Sequence, residues 1–172
     1  SNEEILFQEG HSKPVYDIDF QCDGSLAVTG GLDCYGRAWD LRTGRCVMFL
    51  EGHQLPILAV KFSPDGYRVV TAGKDNICKI WDLRLRQNIY TLPAHTNLIS
   101  SVCFDPRQFP CNFLVTASYD HTLKVWTHPG WQPLRTLIGH NDKVTCVDVS
   151  PDGQTVVSSS FDKTFKIWTL DA

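Results

Sequence analysis

Apolar residues along this 172-residue chain fall in short alternating runs broken by turn residues, and nowhere in a long stripe of helical period. Between residues 53 and 92 the runs are ILAVKF (57–62), YRVVTAG (67–73), CKIWD (78–82) and, after a link over 83–87, NIYTL (88–92). Short runs rich in Val, Ile, Thr and aromatics, bounded by Gly, Pro, Asn and Asp, read as β-strands. Ser63-Pro64-Asp65-Gly66 supplies a turn between two of them, so neighbouring strands run antiparallel. The same succession occurs at 15–20, 26–31, 36–40 and 45–50, and again at 144–149, 155–160 and 165–169. The pattern predicts an all-β chain built from repeated units at 11–50, 53–92, 95–137 and 140–170. Residues 3–8, EEILFQ, read as one more strand, the outermost of a unit whose other strands lie elsewhere. The third unit is longer, because DPRQFPCN (105–112) stands where the second has its SPDG turn.

Four residue types keep register across these units. His11, His53, His95 and His140 stand near the starts, and Trp39, Trp81, Trp126 and Trp168 near the ends of the third strands. Six residues before each Trp is an Asp: Asp33, Asp75, Asp120 and Asp162. Four residues before each Asp is a hydroxyl: Thr29, Thr71, Thr116 and Ser158. In adjacent antiparallel strands the four groups can meet as a chain, indole N–H to hydroxyl, hydroxyl to imidazole, imidazole to carboxylate. Such a chain pairs every member, as buried polar groups require. A hydrolase would also use Ser or Thr with His and Asp, but it needs one such set beside a pocket. Four sets, each tied to a Trp, read as structure. Removing one member, as in His53→Ala or Asp75→Ala, is expected to destabilise by roughly 1–3 kcal/mol.

A repeat of about 40–45 residues with Gly-His near its start and Trp-Asp near its end resembles the WD-repeat family. The resemblance implies a β-propeller over 3–172, each unit being one blade. Two arrangements remain open: an arc of a larger ring, commonly seven-bladed in this family, or a small ring closed by residues 3–8 on the fourth blade. Missing blades or a second copy would complete the arc. Three stretches are more particular: GGLDCYGRAWDLRTGRCVMFLEGH (30–53), IYTLPAHTNLI (89–99) and THPGWQPLRTLIGH (127–140). They resemble the WD-repeat subunits of the U4/U6 small nuclear ribonucleoprotein, which act in pre-mRNA splicing. That resemblance implies a non-catalytic scaffold in the nucleus. Its partners would be proteins of the tri-snRNP, notably the subunit that grips the U4/U6 duplex, with small nuclear RNA contacted mainly indirectly. A rival resemblance belongs to another class. Trp39-Asp40-Leu41-Arg42 and Trp81-Asp82-Leu83-Arg84 are similar to the WDxR box of substrate receptors for cullin-based ubiquitin ligases.

Strand order puts the Asp turns and His loops on one rim, the top, and the SPDG-type turns and the links after each third strand on the other. Leu32, Lys74, Tyr119 and Phe161 precede the four Asp residues at the top and are candidate anchors for a partner. On the bottom, Arg42, Arg45, Arg84, Arg86 and Arg107 are candidates for phosphate contact, diluted by Asp23, Asp65 and Asp152. Trp131, in HPGWQP, is the Trp outside the repeat register. It either recognises a partner or covers the edge of its own blade.

Composition changes this picture little. The chain is 42% hydrophobic and 20% charged with net charge −3, which leaves any RNA contact to a local patch. No apolar run approaches the length of a membrane span, and no secretory leader is legible. The seven cysteines show no CxxC pair and no metal-ligand spacing; several fall within predicted strands and read as small core residues, and a reducing compartment is expected. With no Gly-rich phosphate loop, HExxH or GxSxG in the sequence, neither cofactor nor metal is expected.

Overall fold

A computed structural model describes residues 9–107 and 112–169. The first antiparallel sheet holds β1 (Val15–Phe20), β2 (Leu26–Gly31), β3 (Gly36–Asp40) and β4 (Arg45–Leu50). The second holds β5 (Ile57–Phe62), β6 (Arg68–Gly73), β7 (Cys78–Asp82) and β8 (Gln87–Leu92). In the third are β9 (Ile99–Phe104), β10 (Phe113–Ser118), β11 (Thr122–Thr127) and β12 (Pro133–Ile138). Among the described residues the fourth sheet has three strands, β13 (Val144–Val149), β14 (Thr155–Ser160) and β15 (Phe165–Thr169). The expected strand at 3–8, part of the long turn at 108–111, and residue 170 lie outside the described residues. Strand β6 begins at Arg68 rather than at Tyr67, whose N–H is taken by the Asp65 carboxylate in the preceding turn.

The local chemistry explains these elements. In three of the turns joining the first two strands of a sheet, the closing residue is a glycine at positive φ: Gly24, Gly66 and Gly153. Each donates its N–H three residues back, to Gln21, Ser63 and Ser150. A side chain is strained in that conformation, hence glycine. The third sheet lacks this turn, and the buried Asp105 replaces it. Its carboxylate accepts from the Arg107 guanidinium and from the Asn112 N–H, and so holds both sides of the longer loop. In every sheet the first strand pairs with the second through an irregularity near its start, as between Val15 and Asp17, and such bulges increase twist.

The sheets pack face to face, with β1, β5, β9 and β13 side by side along an axis. Val28, Val60, Phe62, Val69 and Trp81 fill the space between the first two sheets. Val70, Ile80, Val102, Phe104, Leu114 and Trp126 fill the second interface, and Val115, Val125, Val147, Val149 and Val156 the third. Gly30 is required at the first: a Cβ there would stand 2.6 Å from Ile57 Cγ2. At the axis, side chains of one blade satisfy the free strand edge of the next. The Asp17 and Asp19 carboxylates accept from Val60 N–H and Phe62 N–H at 2.9 and 2.8 Å, and Ser100 Oγ donates to Val144 C=O at 2.7 Å.

Equivalent positions settle ring against arc. Val60, Val102 and Val147 are buried, whereas Ile18 in the same place on blade one is 54% exposed. On the opposite face Ala38, Ile80 and Val125 are fully buried, whereas Ile167 of blade four is 63% exposed. Among the described residues the two end faces are uncovered, and the four blades form an open arc, not a small closed ring.

Candidate functional site

Each blade brings its four in-register residues together at the top of the sheet. The indole Nε1–H of Trp39, Trp81, Trp126 and Trp168 donates to the hydroxyl of Thr29, Thr71, Thr116 and Ser158 at 2.8, 2.8, 3.1 and 2.9 Å. The same hydroxyls lie 2.8 Å from Nε2 of His11, His53, His95 and His140. Nδ1 of each imidazole then faces Asp33, Asp75, Asp120 or Asp162 at 3.0, 2.8, 2.8 and 2.7 Å. An indole can only donate, so the hydroxyl gives its own proton to Nε2, and the Nδ1–H goes to the carboxylate. The carboxylate also accepts from the backbone N–H just after each histidine. Every hydroxyl is thereby committed in both directions and is not presented to a substrate.

The carboxylates also shape the top turns. The residue after each Asp, namely Cys34, Asn76, His121 and Lys163, has a positive φ although none is glycine. In three blades the Asp Oδ1 accepts from the N–H two residues on, that of Tyr35, Thr122 or Thr164. Thr122 and Thr164 add their hydroxyls at 2.7 and 2.6 Å. Burial pushes the Asp120 carboxyl up, but hydrogen bonds from His95 and Thr122 outweigh it and hold the group well below the usual range. The Thr164 hydroxyl, with burial opposing and His140 assisting, does the same for Asp162. In blade two the corresponding residue is Ile77, whose backbone N–H still helps to lower the Asp75 carboxyl but whose side chain brings no hydroxyl, so the buried Asp75 Oδ1 lacks a well-formed hydrogen bond. The signal for this difference, Asp-x-Thr against Asp-x-Ile, stands in the sequence.

Of the top-rim candidates, Tyr119 and Phe161 belong together. Their rings meet edge to face at 6.0 Å across the gap between blades three and four. Lys143 Nζ lies 5.5 Å from one ring centroid and 6.0 Å from the other. Phe161 and Lys143 are exposed and Tyr119 half-buried. Leu32 is half-buried and Lys74 exposed, and neither joins the pair. Lys143 follows its histidine by three residues, and spacing alone did not mark it.

The bottom arginines do not form a free basic patch. Arg84 binds Asp82 at 2.9 Å and lies over the Tyr67 ring at 4.5 Å, and Arg107 binds Asp105 at 2.7 Å. Arg42, Arg45 and Arg86 are exposed. Trp131 requires a correction as a candidate anchor, because it is 3% exposed. It packs on His128, Phe104 and Tyr90, closing the base of the interface between blades two and three. His128 in turn approaches the Arg68 guanidinium of blade two at 3.4 Å.

A cavity of about 390 Å³ at the axis is lined by Tyr16, Asp17, Lys61, Cys103, Cys146 and Asp148 among others. Burial and the adjacent Asp148 push the Cys103 thiol up to about 12, so it is held as thiol and is a poor nucleophile. Among the described residues no cluster of His, Cys, Asp and Glu has the geometry to hold a metal. No helix among them is long and apolar enough to cross a membrane.

Comparison with known proteins follows this geometry. The WD domain, G-beta repeat family matches at residues 2–40, 44–82, 86–127 and 131–169. The last three matched segments start within two residues of an outer strand, β4, β8 or β12, and run through the third strand of the next blade. A U4/U6 small nuclear ribonucleoprotein PRP4-like protein of Arabidopsis thaliana is 46% identical over 57 residues, 33% of this chain and 10% of the relative. U4/U6 small nuclear ribonucleoprotein Prp4 of Mus musculus is 58% identical over 39 residues, 23% of this chain and 8% of the relative. Ribosome assembly protein 4 of Chaetomium thermophilum is 42% identical over 57 residues, 32% of this chain and 11% of the relative. The matches thus span about a tenth of these relatives' lengths. With four matched repeats, each carrying the same hydrogen-bonded quartet, the chain belongs to the WD domain, G-beta repeat family.

Proposed function

We propose that this chain is a non-catalytic protein-interaction scaffold of the U4/U6 and U4/U6.U5 small nuclear ribonucleoproteins, acting in pre-mRNA splicing in the nucleus. The observation that carries the reading is the likeness to proteins named as U4/U6 small nuclear ribonucleoproteins in a plant and a mammal. The quartets support the scaffold half of it, since they engage all the Ser/Thr-His-Asp chemistry in holding sheets together. Partners would be proteins of the tri-snRNP, notably the subunit gripping the U4/U6 duplex. RNA contact would be mainly indirect, because Arg84 and Arg107 are engaged by acids of their own loops. The docking site is the top rim at Tyr119, Phe161 and Lys143, where two rings and a cation offer apolar area and charge together.

Affinity capture of the tagged chain from nuclear extract tests this. Recovery of U4 and U6 RNA with tri-snRNP proteins is expected. Tyr119→Ala combined with Phe161→Ala should cut it about tenfold or more, as loss of a central aromatic anchor does. Recovery of a cullin and its adaptor, or of pre-ribosomal particles in place of these RNAs, overturns the reading.

A further inference from the structure

Paired and unpaired cations divide by rim. Lys61, Arg68, Arg84 and Arg107 hold ion pairs with Asp19, Asp65, Asp82 and Asp105, all at the axis or on the bottom. At the top, Lys74 stands at the gap between blades two and three and Lys143 at the gap between blades three and four. Both are exposed, and neither ammonium has a carboxylate partner among the described residues. Both gaps are internal, with a blade on either side of each. The N–H groups of Lys74, Tyr119 and Phe161 donate to the C=O of Pro56, Leu98 and Lys143 at 2.9, 3.0 and 3.0 Å, so the residue before each quartet Asp is tied to the loop that carries its histidine. Lys74 thus holds beside blade three the position that Tyr119 holds beside blade four. The acids of this stretch are committed. Asp75, Asp120 and Asp162 are turned to their histidines, and Asp142 is half-buried, its Oδ1 accepting from the Lys143 N–H at 2.7 Å.

We propose that this rim takes an acidic segment of a partner protein, its carboxylates pairing with Lys74 and Lys143 and one apolar side chain packing on Tyr119 and Phe161. An ammonium has three N–H donors and no acceptor, so Lys143 can face the two rings and still donate to a carboxylate. Unpaired like charges on one rim select a partner of opposite sign and speed its encounter. Nucleic acid fits less well. Base stacking needs a free ring face, whereas Tyr119 and Phe161 meet each other edge to face with the Lys143 ammonium beside both. The Asp142 carboxylate next to Lys143 also opposes a phosphate. The proposal rests on the top rim as the docking surface, and not on the splicing assignment.

The test captures partners of the tagged chain from nuclear extract and then applies a carbodiimide, which joins an amine directly to a carboxylate. Mass spectrometry of the product is expected to show Lys74 and Lys143 linked to aspartate or glutamate of one acidic partner segment. Lys74→Glu combined with Lys143→Glu should cut capture about tenfold or more at about 0.15 M ionic strength, and Lys143→Arg should preserve it. Both lysines are exposed, so the urea midpoint should stay in place. Capture that the reversal leaves unchanged, carboxylate links confined to other lysines, no capture at all, or ultraviolet cross-links from the two rings to RNA overturns the proposal. A loss with Tyr119→Ala and Phe161→Ala but not with the reversal keeps the rim as the docking surface and overturns its acidic partner alone. Links from Lys74 and Lys143 to an acidic segment of a protein outside the tri-snRNP support the proposal and overturn the splicing assignment alone.

Discussion

Blade two carries a defect that one substitution should repair. Asp75 Oδ2 accepts from His53 Nδ1 at 2.8 Å and from Gln54 N–H at 3.2 Å, while Oδ1 is buried with no well-formed hydrogen bond and only the weak approach of the Ile77 N–H to the carboxyl. In blade three the equivalent oxygen accepts from the Thr122 hydroxyl at 2.7 Å. Ile77→Thr places that hydroxyl beside Asp75 on a side chain that stays β-branched. A hydrogen bond to a charged acceptor contributes about 1.5–3 kcal/mol. Against it, Ile77 is half-buried and loses apolar area worth roughly 0.5–1 kcal/mol. The net expectation is a gain of about 1 kcal/mol, which for a chain of this size raises Tm by about 2–4 °C. Urea unfolding followed by circular dichroism measures it, with Ile77→Val as the control that shortens the side chain without adding the donor. If Ile77→Thr is no more stable than Ile77→Val, the idea that an under-satisfied Asp75 oxygen weakens this blade is wrong.

Three further outcomes follow from the same contacts. Thr122→Val removes the donor to Asp120 while keeping shape, and should lower unfolding free energy by about 1–3 kcal/mol in the same urea assay. Trp131→Ala should destabilise by about 3–5 kcal/mol, because the ring is core and not display; a loss near zero would return it to the partner surface. For pH the sign is set by Asp75 and Asp120, both held below the usual carboxylate value in the folded chain. Their contribution is complete above about pH 4 and disappears as pH falls through the folded-state values, so the urea midpoint should drop below about pH 4. A midpoint that is flat down into that acid range would show that these carboxylates are not linked to folding.

Strands and quartets were legible because both rest on local regularities. Alternation fixes which residues face the core, and four residue types at constant spacing leave one way to meet. What spacing could not disclose depends on the third dimension. Trp131 is open between recognition and cover in the sequence, and only the placement of blade two beneath it decides for cover. The arginines looked like a patch, although Asp82 before Arg84 and Asp105 before Arg107, each two residues upstream, already hinted at local pairing. Tyr119 and Phe161 lie 42 residues apart, and their contact requires that blades three and four be neighbours. Ring and arc have the same sequence spacing, and only the exposure of Ile18 and Ile167 tells them apart.

The tips of the top turns carry one more consequence. Cysteine, asparagine, histidine and lysine occupy the same left-handed position in four successive blades, each beside an aspartate that its quartet holds in place. Shape and identity are therefore uncoupled at these four sites. Residues there can be exchanged to alter what the rim displays, while the frame beneath keeps its form.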